Sequence, residues 1–346
     1  MKATVHYTQK FPSYDPRALV GEYYYGMGPR WRVATTVEVG DGRARATDLD
    51  RHGFELAEVA LEGDVLDPAS VSTSMFPAVE KVLEARYPGS KAFVFDHIVR
   101  GVDGAASGPI SFVHNDYSVA SGKPRVRALL ADFAADGPSL DKVLDEGRVA
   151  IVNLWAPLAK VERDPLAFVD WTTTHPQDLV KVCITYTTRT GETSVVYPNP
   201  KHEWVSFKDM VKGEAVLLKT WDSPDPENPA KARFAIHSSA QLHEEEEKDS
   251  FFTTFAGTRG PEKKKNNKRQ SIEFRAMVLF HPAASDPGFL KTPFVAPHIE
   301  RTLSPEKGSG FFEKRLKTEL VDEAPDAFVP VSKLLAATKN GKKNTR

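Results

Sequence analysis

The chain has 346 residues, 40% of them hydrophobic, which is enough to bury a sizeable core and fits one large domain with extensions better than several small ones. Its 46 Lys and Arg against 47 Asp and Glu leave no global field to draw in nucleic acid or an anionic membrane, so the expected partner is a small molecule. The single cysteine, Cys183, excludes an internal disulfide and Cys-rich zinc or iron–sulfur sites, and fits a reducing cytoplasm. No stretch approaches the roughly 20 apolar residues of a membrane span, and Met1 to Tyr7 lack the apolar run of a signal peptide, so neither is expected.

The first 90 residues read as an N-terminal extension. Within them Gly40-Asp41-Gly42 predicts a hairpin, and 74–86 predicts a helix with Met75, Val79, Val82 and Leu83 on one face. Strand-like runs rich in Val, Ile, Phe, Tyr or Thr follow at 91–99, 109–116, 148–155, 180–188, 193–197, 214–221, 232–238 and 271–280. A short helix is expected at 139–144, a hairpin at Thr190-Gly191, and a single turn capped by Ser206 and running to Met210. About eight short strands between turn signals predict a mainly β body with flanking helices, a sandwich or jelly roll. The core is placed at 91–282, with a C-terminal extension over 283–346, where Phe311-Phe312 and the charges from Lys314 to Glu323 suit a packing helix and the basic tail from Ala337 to Arg346 suits a solvated end. One segment, 243–268, departs from the pattern: it is acidic from His243 to Lys248 and basic from Lys263 onward. It reads as a solvated surface loop, with a lid over a pocket as the functional alternative.

Ten histidines are present, but only His114-Asn115-Asp116 forms a His-x-Asp triplet within a strand-like run. Alternate residues of a strand share a face, so His114 and Asp116 can grip one metal ion. Such a triplet also arises by chance. A two-His, one-carboxylate site for non-haem Fe(II) needs a second, distant histidine, and His237, ending Ala232-Arg233-Phe234-Ala235-Ile236-His237, is the best placed. Taken alone, His237 also fits a hydrogen-bonded core histidine. The rival triplets are His243-Glu244-Glu245, in the charged segment, and His298-Ile299-Glu300, after a proline-rich turn, while His97 and His281 read as structural.

Downstream, Arg269, Ser271, Glu273 and Arg275 would share one face of a strand whose other face carries Ile272, Phe274, Ala276, Val278 and Phe280. Two arginines on a core strand demand an anion or solvent. A guanidinium with a hydroxyl two residues away matches the distal carboxylate of 2-oxoglutarate, and an exposed edge strand with cross-strand charge pairs is the alternative. Read functionally, Lys219 is a rival anchor, Asn153 or Trp155 lines the pocket and Tyr117 orients a ligand; packing or framework is the favoured reading of all four.

The ordered set resembles the AsaB/CmcJ-like hydroxylase/desaturase family of fungal and bacterial secondary metabolism. The matching stretches are Val113 to Ser118, Val152 to Leu158 with Pro165 to Asp170, and Trp204 to Met210 with Glu214 to Ser223, together with His237 and Arg269 to Arg275. The resemblance covers roughly residues 90 to 282 and is specific as an ordered set. It implies a double-stranded β-helix (jelly roll, cupin-like) and an Fe(II)- and 2-oxoglutarate-dependent dioxygenase using O2 to hydroxylate, desaturate or cyclise a small metabolite. It further implies His114, Asp116 and His237 as iron ligands, and Arg269 with Ser271, or Arg275, as the cosubstrate clamp. Two departures stand out: the charged insertion between His237 and Arg269, and Ala156 where members often carry an arginine. A partner-dependent or non-catalytic CmcJ-like protein and a cupin-type metal enzyme without 2-oxoglutarate are the other readings.

Overall fold

The computed structural model describes residues 1–9, 32–103, 109–134, 137–185, 190–225, 228, 230–243 and 269–296. Nearly all of the charged segment, His298-Ile299-Glu300 and everything after residue 296 lie outside the described residues.

Fourteen strands are described. In chain order they are β1 (Lys2–Thr8), β2 (Arg32–Asp41), β3 (Phe54–Glu58), β4 (Lys91–Arg100), β5 (His114–Asn115), β6 (Val149–Pro157) and β7 (Leu166–Val169), followed by β8 (Leu179–Thr185), β9 (Thr190–Val196), β10 (Trp204–Ser206), β11 (Glu214–Asp222), β12 (His237–Ser239), β13 (Gln241–Leu242) and β14 (Ser271–Leu279). They form a nine-stranded sheet in the order β13-β1-β2-β10-β7-β12-β5-β9-β8 and a five-stranded sheet in the order β3-β11-β6-β14-β4. The protein is a mainly β jelly roll, as expected. The segment before residue 91 is not an appendage: β1 and β2 lie within the large sheet and β3 edges the small one.

The small sheet explains why its sequence runs so apolar. Every residue of β6 is buried, because the strand is covered on both faces. On the outer face Ala150, Val152 and Leu154 pack with Phe274, Ala276 and Val278 of β14 under helix α1 (Phe76–Arg86), which contributes Val79 and Leu83. On the inner face Val149, Ile151, Met277 and Leu279 meet α2 (Gly122–Leu130) and α3 (Gly137–Glu146), closing one end of the roll. Beyond that apolar plug the same inner face turns polar, through Asn153 on β6 and Ser271, Glu273 and Arg275 on β14. The edge strand β4 is protected from further pairing by α1, whose Glu80 and Glu84 carboxylates accept from the backbone N–H groups of Val94 and Ala92.

Several local expectations need correction. The runs 109–116 and 232–238 contract to β5 and β12. Asn115 donates its side-chain amide to the carbonyls of Tyr117 and Thr220, an alternative to ladder bonding, and Asp116 lies in the bend that follows. Residues 232 and 235 likewise bond outside their own sheet, to the carbonyls of Asp50 and Lys219. Thr190 and Gly191 belong to β9 itself, paired with Thr185 and Ile184, so the β8–β9 turn precedes them. Gly42 opens a 3-10 turn after Asp41 caps Arg43, and the chain then leaves for the other sheet instead of forming a hairpin. Ser206 ends β10 and donates to the Leu166 carbonyl; it caps no helix.

Phe274 is fully buried on the outer face of β14, against Phe76 and His97. Truncation to Phe274→Ala is expected to cost about 3–5 kcal/mol in urea or thermal unfolding; a change under about 1 kcal/mol would show that the outer layer contributes little.

Candidate metal and cosubstrate site

The site lies where the two sheets face each other, beyond the apolar plug. From the large sheet, His114 of β5 pairs directly with His237 of β12, and their ring centroids are 4.4 Å apart. Each ring makes the same bond: Nδ1 of His114 is 2.9 Å from the Phe112 carbonyl oxygen, and Nδ1 of His237 is 3.0 Å from that of Ala235. A carbonyl can only accept, so both Nδ1 atoms carry a proton, and in the neutral ring the Nε2 lone pair is left for another partner. Burial, reinforced by His114, pushes His237 down to about 4, which keeps it in the neutral form that ligates metal.

The two Nε2 atoms converge on Asp116, whose Oδ1 lies 3.6 Å from that of His114 and 4.0 Å from that of His237. The three side chains offer ligand atoms within 4.8 Å of one another, the one such grouping of three or more among the described residues. Burial by itself would raise the Asp116 carboxyl, but Arg275 and the two histidines hold it well below the usual carboxylate range. Its second oxygen, Oδ2, accepts from Asn153 Nδ2 at 2.9 Å and sits 3.5 Å from Arg275 Nε.

The two arginines proposed for the clamp have different situations. Arg275 is engaged on three sides, by Asp96 at 3.0 Å, Glu273 at 3.1 Å and Asp116, so its fork is taken up by protein carboxylates. Arg269 is 6% exposed and donates from Nη1 to the Asp164 carbonyl at 2.6 Å, with its guanidinium 5.4 Å from the Trp155 ring centroid. Its Nε and, two residues on, the Ser271 Oγ are buried without a hydrogen-bond partner among the described residues. Such buried polar groups are costly unless another group, such as an anion, answers them. His114, Asp116, His237, Arg269 and Arg275 all line one pocket. The donor set, two imidazoles and one carboxylate, fits Fe(II), and the incomplete Arg269–Ser271 pair fits a carboxylate.

Lys219 takes the framework role favoured for it: it is fully buried, with Nζ held by Asp50 at 2.5 Å, Asp222 at 2.8 Å and the Ala232 carbonyl at 2.8 Å. His97 packs between Phe76 and Phe274, and His281 caps a 3-10 turn by accepting from Ala283 N. His243 meets Thr4 on the surface, and the rest of its triplet lies outside the described residues. Trp155 lines the pocket, whereas Tyr117 packs on the apolar plug. Asn153 and Glu273 contribute more than their sequence positions disclosed, and Arg100, one residue past the expected strand, was missed; its register opposite Ser271 is the signal that exposes it.

The family model described as YDMC, an oxidoreductase/YMDC permease-like domain, matches residues 11–279. The chain belongs to this family. It is 25% identical over 260 residues to the hydroxylase/desaturase efuI of Hormonema carpetanum, covering 67% of this chain and 78% of that one. It is 26% identical over 267 residues to the alpha-ketoglutarate-dependent dioxygenase phiK of a fungal species, covering 71% and 84%. Its fold matches that of the iron and alpha-ketoglutarate-dependent endoperoxidase NvfI at a TM-score of 0.58 and 19% identity, over 81% of this chain and 97% of that one. The chain is therefore an oxidoreductase whose relatives are of the kind the ordered motifs resemble. No helix among the described residues is long and apolar enough to cross a membrane.

Asn153→Ala would release the outer oxygen of Asp116. It is expected to weaken Co(II) or Fe(II) binding roughly tenfold to a hundredfold in a spectroscopic titration. Unchanged affinity would show that Arg275 alone fixes Asp116.

Proposed function

We propose that this protein is an Fe(II)- and 2-oxoglutarate-dependent oxygenase that hydroxylates, desaturates or cyclises a small secondary metabolite or amino-acid-derived substrate, in the reducing interior that its single Cys183 suits. The observation that carries this is the coexistence, in one pocket, of a two-histidine, one-carboxylate set and the buried Arg269 guanidinium, whose Nε, like the Ser271 Oγ two residues on, has no hydrogen-bond partner among the described residues. The relatives named above support it.

In this reading His114, Asp116 and His237 hold the iron. Their backbone and side-chain partners aim them: the carbonyls of Phe112 and Ala235 fix the imidazole tautomers, and Asn153 and Arg275 bind Oδ2 of Asp116 so that Oδ1 faces the histidines. Arg269 and Ser271 receive the distal carboxylate of 2-oxoglutarate, with Trp155 stacked beneath the guanidinium. When bound, the iron supplies the oxidising chemistry: decarboxylation of 2-oxoglutarate to succinate and CO2 with O2, coupled to removal of hydrogen from the substrate. Ile110, Leu166 and Trp155 give the pocket apolar walls that exclude water from the reacting groups.

Anaerobic addition of Fe(II) and 2-oxoglutarate should produce the visible iron-to-2-oxo-acid charge-transfer band, and admission of O2 should yield succinate. His114→Ala should abolish the band, and Arg269→Met should raise the Kd for 2-oxoglutarate roughly a hundredfold, the scale of a charged hydrogen-bond pair. Metal binding without a band in the wild-type protein would reject 2-oxoglutarate and favour another metal chemistry.

A further inference from the structure

The N-terminal strand reaches the metal site through one residue. In the large sheet β1 and β5 are separated by β2, β10, β7 and β12, yet His6 of β1 forms a parallel bridge with Phe112, two residues before His114. The sheet has curled until β1 meets the segment leading into β5. Tyr7 points from β1 into the apolar layer that also holds Val113 and Trp204, where its hydroxyl accepts from Trp204 Nε1 at 2.9 Å. His6, next to it on the strand, projects from the opposite face and is half-buried.

His6 grips this segment twice. Its backbone oxygen accepts from the Val113 N–H at 2.8 Å. Its ring Nδ1 lies 3.2 Å from the Ser111 carbonyl oxygen, which can only accept, so Nδ1 donates. These two bonds fall on the two peptide groups that flank Phe112. A trans peptide group is a rigid plane whose N–H and C=O point in opposite directions. The Val113 N–H shares its plane with the Phe112 carbonyl. Held by His6 on one side, that plane turns the carbonyl to the other, where its oxygen is 2.9 Å from Nδ1 of His114. The ring bond to Ser111 fixes the preceding plane. With both planes set, the Phe112 carbonyl has one direction, and the tautomer and tilt of the His114 ring follow from it. The strand does not need this ring for its own pairing, because β1 is in register with β2 along its whole length, from Lys2 opposite Glu38 to Thr8 opposite Arg32.

We propose that His6 is a positioning residue for the metal ligand His114: through the peptide groups on either side of Phe112 it sets the orientation in which the His114 imidazole presents Nε2 to the metal. This deepens the oxygenase function proposed above and rests on its metal site, not on 2-oxoglutarate.

The Co(II)-loaded protein supplies the readout, because the Nδ1–H protons of the two ligating rings give separate, paramagnetically shifted, solvent-exchangeable proton NMR signals, assigned by their loss in His114→Ala and His237→Ala. His6→Leu removes the ring donor. His6→Asn keeps an N–H donor attached to Cγ, where Nδ1 stands. His6→Leu is expected to shift the His114 signal, speed its exchange with water, leave the His237 signal in place and raise the Co(II) Kd roughly tenfold. His6→Asn is expected to bring the His114 signal back and the Kd to within about twofold of wild type. Equal disturbance of both signals in His6→Leu would overturn the assignment and give His6 a purely structural role. Unchanged signals and affinity would overturn it too. A wild-type protein that binds no Co(II) at the two histidines would remove the metal site and both proposals with it. The expected His6 effects, combined with no charge-transfer band from Fe(II) and 2-oxoglutarate, would uphold the positioning role while rejecting the oxygenase function.

Discussion

The buried carboxylate of Asp116 is the constraint around which the two sheets are matched. A carboxylate removed from water costs several kcal/mol unless it is paired and hydrogen-bonded. Asp116 sits on the large sheet's side, just after β5, yet what answers its charge comes from the small sheet: Asn153 from β6 and Arg275 from β14. Arg275 is in turn fixed by Glu273 two residues back and by Asp96 directly across on β4. A three-strand chain of paired charges thus ends on one oxygen of one aspartate, leaving the other oxygen for the two histidines. The register of β4, β6 and β14 must be right for this to hold, and the apolar outer face of the same strands, packed under α1, is what sets that register.

That chain also sorts the arginines. Arg275 and Arg269 lie six residues apart with the same strand parity, and nothing in composition separates them. Their partners do. Arg275 is surrounded by three carboxylates, and they outweigh burial and keep it charged. Arg269 has a carbonyl, an aromatic face and an unpartnered Nε, and burial pulls it down. A guanidinium whose counter-charges belong to the protein is a structural element; one whose counter-charge is missing is arranged for a ligand.

Much of this was legible in the sequence because strand periodicity projects directly onto faces. The alternation from Arg269 to Phe280 correctly separated the polar site face from the apolar outer face. His114, Asp116 and His237, singled out by order and spacing, do converge in space. The expectation that His114 and Asp116 share a regular strand was wrong in detail, because Asn115 spends its side chain on the carbonyls of Tyr117 and Thr220 and bends the chain there. What stayed hidden is long-range. Lys219 was expected as framework, but the partner that makes it so, Asp50, lies 169 residues away in the chain. Asn153 is one residue in a fully buried run, and only the pairing of β6 with β14 brings it to Glu273 and Asp116. β1 does alternate, burying Ala3, Val5 and Tyr7, but the N-terminal strands join the core only through partners the sequence does not disclose, since besides the β1–β2 pair these are β10, β11 and β13 from far along the chain.

Two buried charge clusters, built on neighbouring strands, show what distinguishes function from framework. Around Lys219, every acid meets a base: Asp50 and Asp222 share Lys219 and Arg148, and Asp222 is completely buried without remaining unpaired. Such a network can pin β11 to β6 and to the turn carrying Asp50, but it offers a ligand nothing. At the pocket, the same kinds of residue are buried to a similar degree, yet two imidazole lone pairs, a guanidinium N–H and a hydroxyl are left over. A fold seldom retains unanswered polar groups inside unless something else answers them. The difference in completeness, more than burial or charge, is what supports the proposal that this corner of the jelly roll holds the reacting groups.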